Sequence, residues 1–158
     1  VSEEKSVFYE RLAAATEIAA ERYAGVVDKS GVPIICHAVE VSNAAHEYCV
    51  EAGAGNPEDY AIVGMLHDAY EDAPYNEGDM MRLVEFGEEI FEAVMAMTKG
   101  PEEDYETYLA GVAECPMALA VQMVDIENNA GRLHMIEDPA TAARLTAKYK
   151  HAIAVLGG

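Results

Sequence analysis

A histidine–aspartate pair, His67-Asp68 in the segment MLHDAYED, gives the first indication of chemistry in this sequence. A neutral imidazole and a carboxylate are both suitable ligands for manganese, iron, zinc and related ions. Adjacent residues on a helix point about 100° apart, so both can reach one ion only where the helix presents its edge or end to a pocket. A surface histidine at a helix end would give the same dipeptide, so the pair alone indicates a metal site only weakly.

Two further acids, Glu71 and Asp72, follow the pair by four residues and therefore lie one helical turn further along the same face. Four ionisable side chains next to apolar neighbours such as Met65 would repel one another without a cation between them. A solvated acidic helix end is the structural alternative. The pattern otherwise favours a metal-binding pair followed by a second acidic pair that handles water.

Two more candidate ligands lie far from this pair in the sequence. His37 follows the run GVPII, where a loop turns into a helix, and Asp125 stands in the mostly apolar stretch VQMVDIENN. An isolated carboxylate in such a stretch is costly to bury unless it is paired or binds a metal. Asn129 lies one turn after Asp125 on the same face and is suited to a hydrogen bond with a substrate. Taken singly, the histidine could be a satisfied core or capping residue, and the aspartate an exposed acid.

Several segments, in this order, resemble the hydrolase domain of RelA/SpoT-type proteins and the small alarmone hydrolases of the HD superfamily. AGVVDKSGVPIICHAVEV is similar to the family's loop-then-histidine segment, and MLHDAYEDAP to its metal and catalytic helix. EFGEEIFEAVMAMTKG resembles the FG…V…TK segment that follows, and DYETYLAGVAECPMALAVQMVDIENN the closing segment with its last metal aspartate. The resemblance covers residues 17–133.

The resemblance implies a metal-dependent phosphohydrolase that releases pyrophosphate from the 3′ position of a guanosine tetraphosphate-like alarmone, ppGpp. It implies Mn²⁺ as the ion, with four ligands: His37, His67, Asp68 and Asp125. Glu71 and Asp72 would orient and deprotonate the attacking water. Lys29 would contact phosphate, and Asn129 would help to hold the nucleotide or the metal shell.

Three positions depart from the family's pattern, all on the substrate side. Tyr23 stands where a histidine is usual, Asp28 where some members carry an arginine, and Gln122 where a lysine is common. Two positive charges are lost, and a carboxylate at position 28 would repel phosphate. Another HD phosphohydrolase activity, for example on a nucleoside monophosphate, therefore stays open. So do a non-catalytic nucleotide sensor and a helical adaptor without metal. Tyr23 could contact a base or a phosphate, although packing between helices is the simpler interpretation.

The elements that must position these residues are helical. Alanine, glutamate, leucine and methionine are abundant, and apolar residues recur at three- and four-residue steps, which predicts an all-α fold. We predict a single HD-domain helical bundle over residues 1–158. The predicted helices cover about residues 3–23, 36–52, 58–70, a short stretch before 86, 88–98, 102–112, 116–130, and from 139 towards 156. Asn56 before Pro57 predicts a helix start with proline in the first position.

The charge balance limits the partners. Ten basic and 29 acidic residues give a net charge of −19, which disfavours a nucleic-acid polymer or an anionic membrane as partner. A small anionic nucleotide is compatible, because one divalent cation can dominate the field of a local site. No apolar run approaches the roughly 18 residues that span a bilayer. Three cysteines without a CxxC pair are typical of a reduced, cytoplasmic protein. A homo-oligomer stays open.

Overall fold

The computed structural model describes the backbone of residues 3–71 and 74–157, with side chains from residue 10 onward. Within these residues the chain forms eight α-helices and one short 3-10 helix, and its only β-type pairing is an isolated bridge between Val27 and Pro33. The helices are α1 (Glu3–Arg22), α2 (Ile34–Ala52), α3 (Pro57–Leu66), α4 (Glu77–Val84), α5 (Glu88–Ala96), α6 (Tyr105–Glu114), α7 (Pro116–Ala130) and α8 (Pro139–Gly157), with the 3-10 helix at Leu133–Met135. The predicted all-α fold is confirmed.

Side-chain caps explain where several helices begin. The Asn56 side chain accepts a hydrogen bond from the Glu58 N–H, and Pro57 takes the first helical position, so the predicted start of α3 is confirmed. α6 begins at Tyr105, later than the predicted residue 102, because the Asp104 side chain accepts from the Thr107 N–H and caps the helix there. Local capping chemistry therefore sets these boundaries more tightly than the apolar periodicity does.

Helix α3 is the central helix of the fold. It contacts α1, α2, α5 and α7, and every residue from 60 to 66 is buried. Gly64 allows the close crossing with α2, since a Cβ at this position would lie 2.8 Å from the Ser42 Cα. The Ser42 hydroxyl donates to the Ala61 carbonyl at 2.7 Å and joins the same two helices. The crossing thus fixes α2 relative to the carboxyl end of α3.

Helices α6, α7 and α8 complete the bundle. α7 packs against α2 and α3, and α8 packs against α6 and α7. Among the described helices, none is both long enough and apolar enough to cross a membrane.

Candidate metal centre

The candidate pair His67-Asp68 lies just beyond the end of α3, in a turn rather than inside the helix. The Gly64 carbonyl, which would accept the Asp68 N–H in a continuing helix, accepts instead from His67 Nδ1 at 2.6 Å. The Asp68 N–H donates to the Tyr23 hydroxyl at 3.1 Å. The predicted extension of this helix to residue 70 is therefore wrong. Ending the helix here frees both side chains to turn towards one point.

The four predicted ligands come together although they come from three parts of the chain. One ligand atom from each of them lies within 4.8 Å of all the others: His37, His67, Asp68 and Asp125. Asp125 Oδ1 lies 2.7 Å from His37 Nε2 and 3.2 Å from His67 Nε2. Asp68 Oδ2 lies 3.1 Å from His67 Nε2. Two imidazole nitrogens and two carboxylate oxygens form a donor set that suits manganese, iron or zinc.

The other nitrogen of each imidazole orients the ring. His67 Nδ1 donates to the Gly64 carbonyl, and His37 Nδ1 donates to Asn128 Oδ1 at 2.7 Å. A neutral histidine protonated at Nδ1 presents its Nε2 lone pair to an ion. Since both Nε2 atoms and both carboxylates converge, the arrangement needs a cation or a shared proton at its centre. The residues present therefore fit a divalent metal.

Burial and charge reinforce this requirement. Burial disfavours ionisation of Asp125, but the positive charge of a protonated His67 and the hydrogen bonds that protonated imidazoles donate to this carboxyl outweigh it and hold its pKa far below its usual range. A bound cation would supply the same positive charge to neutral histidines. Burial also acts to lower the pKa of His67, yet the carboxylates of Asp68 and Asp125 raise it well above its ordinary value. The Asp125 carboxylate thus stays ionised and attracts positive charge. The side chains of His37 and His67 are 3% and 2% exposed, whereas that of Asp68 is 32% exposed, so the centre is open on the Asp68 side.

Two supporting residues were not assigned to the metal centre from the sequence. Asn128 holds His37, and Gln122, noted only as a departure from the family's lysine, donates to Asp125 Oδ2 at 3.1 Å. The Tyr108 hydroxyl in turn donates to Gln122 Oε1 at 2.5 Å. Both residues lie three positions from Asp125 on α7, and this spacing was the available signal.

A cavity of about 430 Å³ opens directly onto the metal centre. We call it the site cavity, and its described lining includes His37, Asp68 and Asn129 at the metal centre and Lys29, Arg132 and Lys148 further along. Its volume is in the range of small-molecule sites. The predicted substrate residues Lys29 and Asn129 both line it, and the Asn129 amide also donates to Asp125 Oδ1 at 3.2 Å.

Positive charge is concentrated here in an otherwise acidic protein. Lys29 lines the site cavity with Lys148 and an adjoining cavity with Arg144, and its pKa is lowered by burial and by the charges of these two residues. We call Lys29, Arg144 and Lys148 the basic cluster. The adjoining cavity has a volume of about 590 Å³. With Arg132, four of the ten basic residues of the chain lie around the two cavities. Four carboxylates share the described linings of the two cavities, so the cations offer local contacts for an anionic group rather than a uniformly positive surface: Asp28, Asp68, Glu137 and Asp138.

Asp28 does not act as the isolated negative charge that the sequence suggested. Its Oδ1 accepts from the Ser30 N–H, the Ser30 hydroxyl and the Val32 N–H, and its Oδ2 accepts from Arg132 at 3.1 Å. Burial opposes its ionisation, but these hydrogen bonds and the Arg132 guanidinium hold its pKa below the ordinary value. The carboxylate therefore shapes the loop that carries Lys29, and Arg132 offsets the expected repulsion of phosphate.

The remaining predicted site residues differ in how much the structure says of them. Glu71 is exposed in the turn after α3; burial raises the pKa of Tyr108, and the negative charge of Glu71 raises it further. Asp72 lies outside the described residues. Tyr23 is buried, and its hydroxyl donates to the Met65 carbonyl at 3.3 Å while accepting from the Asp68 N–H. A substrate contact through this hydroxyl stays a prediction.

Comparison with known structures shows which fold the chain adopts. No protein-family model matches the sequence. The structure is similar to that of a metazoan ortholog of SpoT that hydrolyses ppGpp, with a TM-score of 0.74 and 16% sequence identity. The match covers 94% of this chain and 86% of that one. The two chains therefore share one fold, and the likeness to an HD-type hydrolase that the sequence indicated is confirmed for the fold.

Proposed function

We propose that this protein is a metal-dependent nucleotide phosphohydrolase whose ion is held by four ligands: His37, His67, Asp68 and Asp125. The observation that carries the proposal is the convergence of these ligands at one end of a cavity that also contains cationic side chains. Mn²⁺ is the ion that we favour, on the resemblance to RelA/SpoT-type hydrolases. We further propose that residues 1–158 act as one phosphohydrolase domain, because the ligands come from α2, α7 and the turn after α3.

The favoured substrate is ppGpp, from which the enzyme would release pyrophosphate by cleaving the bond between the 3′ oxygen and phosphorus. A bound divalent cation would neutralise phosphate charge and lower the pKa of a coordinated water. Glu71, with Asp72, accepts the proton of the attacking water. Asn129 and Lys29 orient the nucleotide in the site cavity. The water oxygen forms a bond to the phosphorus next to the 3′ oxygen, and the bond between that phosphorus and the 3′ oxygen breaks. The 3′ oxygen takes up a proton and becomes a hydroxyl, so the products are GDP and pyrophosphate.

The basic cluster supports a substrate with a second anionic group. Lys148 lines the site cavity from α8, and Lys29 lines it from the loop before α2, whereas the metal ligands come from other elements. A diphosphate at the 5′ position would find these cations while the 3′ group lies at the metal centre. Charge-assisted contacts of this kind are among the stronger hydrogen bonds in proteins.

A nucleoside monophosphate is the second candidate substrate, and the contacts of Arg132 and Gln122 favour it. Arg132 is already paired with Asp28 and with Glu40, whose Oε2 lies 2.5 Å from the guanidinium. Gln122 is uncharged and is held by Asp125 and Tyr108. Fewer cations then remain for a substrate with many phosphates.

An assay of hydrolysis products distinguishes these candidate substrates. Purified protein loaded with Mn²⁺ is incubated separately with ppGpp, GTP and nucleoside monophosphates. Release of pyrophosphate from ppGpp alone supports the favoured reaction, and release of phosphate from monophosphates alone supports the second. Glu71→Gln should abolish turnover while its Mn²⁺ content stays near that of the wild type. A wild-type protein that binds nucleotides but turns over none of them would instead be a sensor.

A further inference from the structure

An arginine at the end of α1, Arg22, forms hydrogen bonds with the backbone of the turn that carries Asp68 and Glu71. The Arg22 Nε donates to the Ala69 carbonyl, and its Nη2 donates to the Pro74 carbonyl at 3.1 Å. Its Nη1 lies 3.6 Å from Asp79 Oδ2, and the guanidinium carbon lies 4.9 Å from the centre of the Tyr70 ring. The side chain is only 11% exposed. One guanidinium thus contacts both sides of the turn.

The next residue, Tyr23, forms hydrogen bonds at the beginning of the same turn. The Tyr23 hydroxyl accepts from the Asp68 N–H and donates to the Met65 carbonyl. Arg22 and Tyr23 therefore hold the backbone on either side of the Asp68 side chain, although they are more than 40 residues away in the sequence. Backbone groups beyond a helix end need partners outside the helix, and here the last residue of α1 and the residue after it supply them.

The geometry specifically suits arginine. A planar guanidinium carries five N–H donors in a fixed fork, so it can bind two carbonyls, pair with a carboxylate and stack on a ring at once. A lysine ammonium keeps the charge but cannot make all these contacts from one position. Replacing this side chain should therefore loosen the turn even where the charge is kept.

We propose that Arg22 is a positioning residue for the metal centre: it holds the turn after α3 so that the Asp68 carboxylate meets the ion beside His67. The proposal rests on the proposed function, since it assumes that these residues bind a metal. Removal of residues that orient metal ligands typically lowers metal affinity or activity 10- to 100-fold. Arg22 acts through Asp68, and it need not touch the substrate.

Arg11 provides a matched control on the same helix. It donates to Asp59 Oδ1 at 3.2 Å and to the Phe86 carbonyl at 3.1 Å, so it ties α1 to the first turn of α3 and to residues before α5. Arg22→Met and Arg11→Met both remove a partly buried guanidinium with a carboxylate and a carbonyl partner. Only the first removes contacts to the Asp68 turn.

The experiment measures Mn²⁺ affinity by titration calorimetry, amide hydrogen exchange in residues 67–71, and kcat and KM, with thermal unfolding as a check on folding. Arg22→Met should weaken Mn²⁺ binding 10- to 100-fold and speed exchange in the turn. Arg11→Met should change Mn²⁺ affinity less than twofold at a similar loss of thermal stability, and Arg22→Lys should fall between Arg22→Met and the wild type. Equal loss of Mn²⁺ affinity in both methionine variants, or none in Arg22→Met, overturns the proposal.

The outcomes also separate this proposal from the proposed function. If the wild type hydrolyses none of the nucleotides but Arg22→Met still loses Mn²⁺ affinity, the function fails and the positioning role stands. If the wild type hydrolyses ppGpp and Arg22→Met behaves like it, only the positioning role fails. If Arg22→Met does not fold, Arg22→Lys decides by the same affinity measurement, and unchanged affinity overturns the proposal.

Discussion

The two ends of the site cavity are built in different ways. At the metal end, His37 and His67 are buried, and both ring nitrogens of each have partners. At the other end, Lys148 of α8 is exposed and its Nζ lies 5.0 Å from the centre of the Tyr105 ring, while Arg144, one turn earlier, is exposed at the adjoining cavity. Preorganised ligands give a defined ion site, whereas exposed cations tune which anion is held. The difference indicates that changes at the metal end should abolish chemistry, and changes at the basic end should alter substrate preference.

The largest effect is expected for Asp125→Asn. This carboxylate contacts both histidines, and an amide of the same shape removes its charge from the centre of the ligand set. We expect metal content to fall to background and turnover to be lost, as measured by elemental analysis and phosphate release. Asp104→Asn, at an exposed helix cap, should keep its metal. Full metal content in Asp125→Asn would place the ion elsewhere.

The next largest effect is expected at the close crossing of α2 and α3, which we expect to position His37 and His67 relative to each other. In Gly64→Ala the new Cβ would meet the Ser42 backbone, so the helices must separate, at a cost of about 1–3 kcal/mol in the free energy of unfolding. Mn²⁺ affinity should fall as well, because His37 and His67 lie on these two helices or at their ends. Gly111→Ala in α6, where a Cβ meets nothing within 4 Å, should instead stabilise by up to about 1 kcal/mol. Urea unfolding measures the stability of each variant, and titration calorimetry measures its Mn²⁺ affinity. Equal stability and equal Mn²⁺ affinity in Gly64→Ala and Gly111→Ala would contradict this role of the crossing.

A smaller effect is expected at the basic end. Lys148→Gln should raise the KM for ppGpp roughly tenfold while kcat changes little, because the interaction is with a phosphate remote from the cleaved bond. Lys150→Gln, an exposed lysine of the same helix outside the described lining of the site cavity, is the control. A fall in kcat in Lys148→Gln without a change in KM would contradict a pure binding role.

The smallest effect concerns the Asp28 loop and depends on pH. The pKa of Asp28 is lowered below its ordinary 3.8, so its ionised form stabilises the fold fully above that value and loses this contribution as the pH falls through the folded pKa. Asp28→Asn should therefore be less stable than the wild type at pH 7, and the difference should shrink below pH 3.8. Urea unfolding at several pH values measures it. A difference that does not change with pH would show that charge is not its cause.

The sequence predicted which side chains converge at the proposed metal end, but it did not predict that Arg144 and Lys148 lie near the other end of the cavity. The residue types of His67-Asp68 and Asp125 restrict their chemistry, and the acidic or apolar segments around them distinguish them from ordinary surface residues. Arg144 and Lys148 look like ordinary charged residues of an amphipathic helix, and only the packing of α8 brings Lys148 to the site cavity and Arg144 to the adjoining cavity. Arg22 was missed for the same reason, since its partners Ala69 and Pro74 are about 50 residues away. The end of α3 was also predicted wrongly, because the Asp68 N–H donates to the distant Tyr23 hydroxyl instead of to a carbonyl of the helix.

The most direct test of the metal centre is X-ray absorption at the manganese edge of the Mn²⁺-loaded wild-type protein. The proposed ligand set predicts one ion per chain, with a nitrogen and oxygen shell and the outer-shell scattering of two imidazoles. An ion with an all-oxygen shell and no imidazole signal would contradict a centre formed by His37 and His67.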